Sequence, residues 1–213
     1  MEPFKRIQSI AIPLDKVNVD TDQIIPKQFL KLIQKTGFGK YLFHDWRYEN
    51  GDIPKDDFIL NDPKYNNSKI LLAGDNFGCG SSREHAVWAL HDYGIKVIIS
   101  TSFADIFYNN CFKNGILAIK VSRETLQKLF TTNSVIDVDL ENQTIKSDDS
   151  LIPFHIEEYW KKILLEGLDD IALTLAHFGA AFDDKSVGIK TAERLLKIQI
   201  TQIPKSHSYE ARI

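Results

Sequence analysis

Residues 74–85 read Gly74-Asp75-Asn76-Phe77-Gly78-Cys79-Gly80-Ser81-Ser82-Arg83-Glu84-His85. Glycines, two adjacent hydroxyls and a guanidinium stand together in this stretch. Glycine lets a backbone take positive φ and approach a ligand closely. Ser81 and Glu84 have the S-x-x-E spacing of a capping box, which predicts Ser81 at a helix N-cap. The free amide N–H groups of a first helical turn favour an anion. Arg83 adds a planar donor fork suited to a carboxylate. The expected chemistry is an anion cradle with two hydroxyls beside it. An ordinary capped helix after a glycine turn fits the same spacing, and both readings stand at this point.

Spacing removes three other readings. A dinucleotide fingerprint, G-x-G-x-x-G, would put its third glycine where Arg83 stands, and that side chain would crowd a pyrophosphate. A phosphate loop needs Gly-Lys-Ser/Thr, but Gly80 is followed by Ser81 and Ser82 with no lysine. A nucleophile elbow, G-x-S-x-G, lacks its closing glycine. Metal chemistry is bounded by the ligand types. The chain has two cysteines, Cys79 and Cys111, whereas an iron–sulfur cluster takes about three or four thiolates. His85 and His91 are not at zinc-ligand spacing. The expectation is that this chain itself holds no catalytic metal.

The elements around the turn predict how it is positioned. Lys69 to Gly74 is a short apolar run that reads as a buried strand. Arg83 to Tyr93 reads as a helix with Ala86, Ala89 and Leu90 on one face and Gly94 as its stop. Val97 to Ile99 is a second strand, Phe103 to Lys113 a second helix and Leu117 to Val121 a third strand. Strand–helix alternation with short connections predicts a parallel βαβαβ core with right-handed crossovers. In such a sheet ligands bind at the carboxyl ends of the strands, where residues 74–83 stand.

Flanking segments are less regular. Ile7 to Ile12 reads as one strand. Asn18 to Pro26 is a polar turn leading into a short apolar segment. Gln28 to Lys35 has helical spacing through Phe29, Leu32 and Ile33. Thr36 to Tyr65, rich in Gly, Asp, Pro and aromatics, reads as an irregular excursion, and long loops of this kind are more often functional than idle. Ser134 to Leu140 and Gln143 to Lys146 predict a hairpin around Glu141-Asn142. His155 to Leu165 is an amphipathic helix ending at Gly167, and further helices are expected from Asp169 to Ala176 and from Thr191 to Ile198. The expected division is a domain at 1–180 and a C-terminal extension at 181–213 whose polar end is mobile.

Bulk properties narrow the function classes. The 213 residues are 43% hydrophobic and 26% charged, as in soluble globular chains. A net charge of −3 leaves no basic field for nucleic acid. No apolar run is long enough to span a membrane, and Met1 to Arg6 lacks the apolar core of a secretory signal. Two cysteines imply no disulfide framework, and the expected compartment is a reducing cytoplasm.

The string Gly78 to Ala86 resembles the signature of the aconitase family's swivelling domain. Three further blocks, Asn18 to Pro26, Thr36 to Tyr48 and Ser102 to Cys111, extend the match in family order over roughly residues 5–178, so that the chain is similar to the small subunits of 3-isopropylmalate dehydratases. The resemblance implies a swivelling β/β/α domain: an α/β fold with a parallel βαβαβ core plus added antiparallel strands and C-terminal helices. It implies a hydro-lyase that isomerises 2-isopropylmalate to 3-isopropylmalate in leucine biosynthesis, active only with a large subunit that carries a 4Fe-4S cluster. Carried over, Ser81 matches the general base, Ser82 and Arg83 the groups that hold a substrate carboxylate, and Asp22 an aspartate facing the cluster-side residues. Tricarboxylate members carry an arginine about a dozen residues after that aspartate. Here the stretch is Phe29 to Gln34, with no arginine; its apolar residues, Leu30 and Ile33 among them, suit an isopropyl group, while Phe29, Leu32 and Ile33 equally fit a helix face packed on the core. A related dehydratase for a citramalate- or methylmalate-type diacid, or a non-catalytic anion-binding module, are the alternatives.

Overall fold

The computed structural model describes residues 1–31, 36–51 and 53–168. Ten strands and six α-helices alternate along it. They are β1 (Ile7–Ser9), β2 (Ala11–Leu14), α1 (Thr21–Ile24), α2 (His44–Arg47), β3 (Tyr48–Glu49), β4 (Ile53–Pro54), β5 (Ile70–Ala73), α3 (Glu84–Tyr93), β6 (Val97–Ser100), α4 (Asp105–Lys113), β7 (Leu117–Lys120), α5 (Arg123–Thr131), β8 (Ile136–Asp139), β9 (Thr144–Ser147), β10 (Ser150–Pro153) and α6 (Glu158–Glu166). The expected helices after residue 168 and the boundary at 180 lie outside the described residues.

The parallel core forms as the apolar runs require. Its strand order is β2-β5-β6-β7, all neighbours parallel. Every residue of β5 and β6 is buried, which is why these strands read as continuous apolar runs and not as alternation. Helix α3 buries Ala86, Val87, Ala89 and Leu90 completely. Full burial of a Val or Leu side chain contributes roughly 1.5–3 kcal/mol. The helix ends at Gly94, whose N–H bonds to the carbonyls of Leu90 and His91.

A second sheet, β1-β8-β9-β10, is antiparallel. The predicted hairpin is β8–β9, with Asp139 opposite Thr144 and Asn142 N–H on Asp139 Oδ1 at 2.9 Å. The single strand expected over 7–12 divides in two. Ile10 separates β1 from β2, and the two belong to different sheets. Two elements had no prediction: α5, capped by Ser122 Oγ on Thr125 N–H, and β10. The excursion over 36–65 consists of short 3-10 turns, α2 and the two-stranded β3–β4 ribbon. The predicted helix over 28–35 begins as a 3-10 turn at Lys27–Lys31, and residues 32–35 lie outside the described set.

Candidate functional site

The carboxyl ends of β2, β5 and β6 converge on one edge, and backbone bonds sew their loops together. Asn18 N–H donates to Asp75 O at 2.8 Å, and Gly78 N–H donates to Val19 O at 2.8 Å. Phe77 N–H donates to Ser102 O and Ala104 N–H to Phe77 O, both at 3.1 Å. The buried Ser100 Oγ donates to Gly74 O at 2.7 Å. Gly78 has φ +76, and a Cβ there would stand 2.1 Å from the Phe107 ring. Glycine is required here twice over, by conformation and by space.

The block at 20–23 forms α1 and lies against this turn. Asp20 is its N-cap, and a capping box closes between the Asp20 and Gln23 side chains and the opposite backbone N–H groups. Asp20 also makes a parallel bridge to Cys79. Thr21, the first helical residue, donates its N–H to Cys79 O at 3.0 Å and its hydroxyl to Ser81 O at 2.8 Å. Asp22 forms an ion pair with Arg83, one carboxylate oxygen accepting from Nη1. Its other oxygen lies 3.6 Å from Lys27 Nζ. The predicted residues Asp22, Ser81, Ser82 and Arg83 are therefore gathered at one place.

One expectation is corrected. Ser81 is not the N-cap of the following helix. Helix α3 begins at Glu84 with Arg83 as N-cap, and no side chain caps it. The reason is tertiary: Glu84 Oε1 accepts from Asn114 Nδ2 at 2.9 Å, while Thr21 holds the Ser81 carbonyl. Ser81 and Ser82 stand in a linker ahead of the helix. Both are exposed, and neither hydroxyl has a hydrogen-bond partner among the described residues. The Arg83 side chain is 17% exposed and that of Asp22 38%.

Of the expected apolar residues Leu30 and Ile33, only the first lies among the described residues. Leu30 is half-buried in the Lys27–Lys31 turn and packs on the core. Its neighbour Phe29 stacks on Tyr41 with ring centroids 4.0 Å apart. Ile33 lies outside the described residues. This chain's own donors do not fit an iron–sulfur cluster. Cys111 is fully buried in α4, and burial pushes its thiol well up; Cys79 is half-buried, and burial raises it too. No group of three His, Cys, Asp or Glu side chains is placed to hold a metal among the described residues. Nor, among those residues, is any helix long and apolar enough to cross a membrane.

Thr21 stands inside the Asn18 to Pro26 segment and was not among the residues singled out from the sequence. The nearest signal was the Asp20-x-x-Gln23 capping-box spacing, which puts Thr21 at the first helical position but does not mark its hydroxyl.

Comparison with known proteins agrees with this architecture. Residues 1–124 match the aconitase C-terminal domain family. The 3-isopropylmalate dehydratase small subunit of Agrobacterium fabrum is 56% identical over 186 residues, covering 84% of this chain and 92% of that protein. The small subunit of that name from Brevibacillus brevis is 53% identical over 183 residues, covering 83% and 94%. Among solved structures, a 3-isopropylmalate dehydratase from Methanocaldococcus jannaschii superposes with a TM-score of 0.64 at 24% identity, covering 84% of this chain and 99% of that one.

Proposed function

The chain belongs to the family of 3-isopropylmalate dehydratase small subunits and carries the aconitase C-terminal domain, and on that premise we propose how its residues serve the isomerisation of 2-isopropylmalate to 3-isopropylmalate in leucine biosynthesis. The reaction removes water from a 2-hydroxy diacid and returns it with shifted regiochemistry. A large subunit completes the enzyme in the cytoplasm and carries a 4Fe-4S cluster, which supplies Lewis acidity toward the departing hydroxyl. This chain contributes the acid–base and carboxylate-binding half of the site.

The observation that carries this reading is the Asp22–Arg83 ion pair beside two exposed hydroxyls. Arg83 has five donors in a fixed fork, and Asp22 takes one of them, so an outer edge remains for a substrate carboxylate. Asp22 holds the fork in place, and Ser82 adds a hydroxyl to the same carboxylate. Ser81 Oγ, as the alkoxide, takes the carbon-bound proton and becomes the neutral hydroxyl; it returns that proton to carbon when water adds back with shifted regiochemistry, which restores the alkoxide. A serine hydroxyl is a very weak acid, and on an open face water screens every charge that would help it ionise. Closure by the large subunit excludes that water, and the Arg83 charge then acts at low dielectric. Leu30, half-buried beside this edge, offers an apolar contact for the isopropyl group.

General acid–base groups contribute ~10²–10⁴-fold. Ser81→Ala in the assembled enzyme is therefore expected to lower kcat by at least ~10²-fold, with subunit association unchanged by co-elution. A kcat within about threefold of the parent would overturn the base assignment.

A further inference from the structure

We propose that Thr21 is a positioning residue for this reaction, holding the Ser81 main chain so that the Ser81 hydroxyl faces the substrate; the inference rests on the reading of Ser81 as the base. Ser81 stands in a linker outside helix α3, so helical hydrogen bonding does not fix its backbone. Its hydroxyl has no partner among the described residues. What fixes it is α1: the Thr21 hydroxyl donates to the Ser81 carbonyl at 2.8 Å and the Thr21 N–H donates to the Cys79 carbonyl at 3.0 Å. Thr21 is 2% exposed, so water does not compete for its hydroxyl. The approach is close, since a Cβ added to Gly80 would stand 3.3 Å from Asp20 Cβ and 4.0 Å from Thr21 Oγ1. The next residue, Asp22, takes the Arg83 guanidinium. Two consecutive residues of one short helix thus grip the reactive segment at 81 and at 83, leaving the hydroxyls of Ser81 and Ser82 exposed between the grips. Misplacing a reacting group by ~1 Å costs on the order of 10²-fold in rate. A residue that acts in this way lowers kcat and leaves substrate affinity nearly alone.

The test uses the complete enzyme, assembled with its large subunit. Thr21→Val keeps the β-branched shape and removes the hydroxyl. It is expected to lower kcat by roughly 10–100-fold with KM within about threefold of the parent. Thr21→Ser, which restores a donor, is expected to stay within about threefold in both constants. In a Ser81→Ala background Thr21→Val should change the residual rate by less than about threefold, because the group it positions is already gone. The proposal is overturned if Thr21→Val leaves kcat unchanged, if it lowers the rate equally in both backgrounds, or if Thr21→Ser is as impaired as Thr21→Val. Full activity of Ser81→Ala would instead overturn the base reading beneath it, an outcome the single serine variant identifies by itself. Should Thr21→Val fail to co-elute with the large subunit, Thr21→Ala carries the same comparison.

Discussion

Gly78→Ala separates two costs that one glycine hides. Gly78 sits at φ +76 above the Phe107 ring, which is 3% exposed. An alanine there costs ~1–2 kcal/mol for the left-handed backbone. Its Cβ would also lie 2.1 Å from Phe107 Cγ, 2.4 Å from Cδ1 and 2.5 Å from Cδ2. A buried ring cannot swing away into solvent, so overpacking adds ~1–3 kcal/mol. The sum is ~2–5 kcal/mol, which in a chain of this size lowers Tm by roughly 4–20 °C. Gly94 supplies the internal control. Its φ is +114, and a Cβ there would meet nothing within 4 Å. Gly94→Ala therefore carries only the backbone cost, roughly 2–8 °C by the same conversion. Thermal unfolding of the isolated chain followed by circular dichroism, with urea titrations as a cross-check, measures both. Gly78→Ala melting no lower than Gly94→Ala would refute the claim that Phe107 is seated against the turn.

Asp22→Asn should separate stability from function. The pair it forms with Arg83 is partly exposed, and such pairs contribute ~0–1 kcal/mol, so Tm should fall by less than about 4 °C. KM for the diacid should nevertheless rise by at least about fivefold, because the Arg83 fork loses the group that orients it; an unchanged KM would remove Asp22 from that role. Acid sensitivity should centre on β1. Arg6 donates to Asp137 through Nε at 2.7 Å and Nη2 at 2.6 Å, and these bonds, with one from Gln8, hold the Asp137 carboxyl below the usual carboxylate range. A carboxyl depressed in the folded state stabilises above its unfolded pKa of about 4 and loses that contribution as pH falls through the folded value. The Tm difference between the parent and Asp137→Asn should accordingly shrink below about pH 4, and a gap constant from pH 6 to pH 2 would refute the linkage.

The parallel core was legible because burial on both faces leaves an unmistakable trace in β5 and β6: apolar runs bounded by turns, with helical periodicity between them. The position of the glycine-rich turn followed from that pattern alone. The capping of the helix did not. Two sequence strings carry capping-box spacing, Ser81-x-x-Glu84 and Asp20-x-x-Gln23, and only the second closes. Spacing could not distinguish them, since Glu84 is diverted by Asn114, thirty residues away in the chain. Likewise, Ile7 to Ile12 carries one local pattern but serves two sheets. The switch at Ile10 is decided by β8 and β5, partners far along the chain. Ser81, Ser82 and Arg83 could be picked out by residue type. Thr21 could not, because its contribution is a hydrogen bond to a main-chain oxygen, which any residue offers.

The pairing of β1 with β8 has a consequence for the chain during its synthesis. Arg6, just ahead of β1, and Asp137 in β8, joined by side-chain hydrogen bonds, are 131 residues apart. At ~5–20 residues per second of elongation, the first strand waits roughly 7–26 s for its partner to be made. The parallel sheet can meanwhile assemble from β2 and the continuous stretch 70–120, whereas the antiparallel layer closes last. Translation that halts before Ile136 leaves β1 with an open hydrogen-bonding edge on an otherwise formed core. Such a nascent fragment is a template for strand pairing between chains.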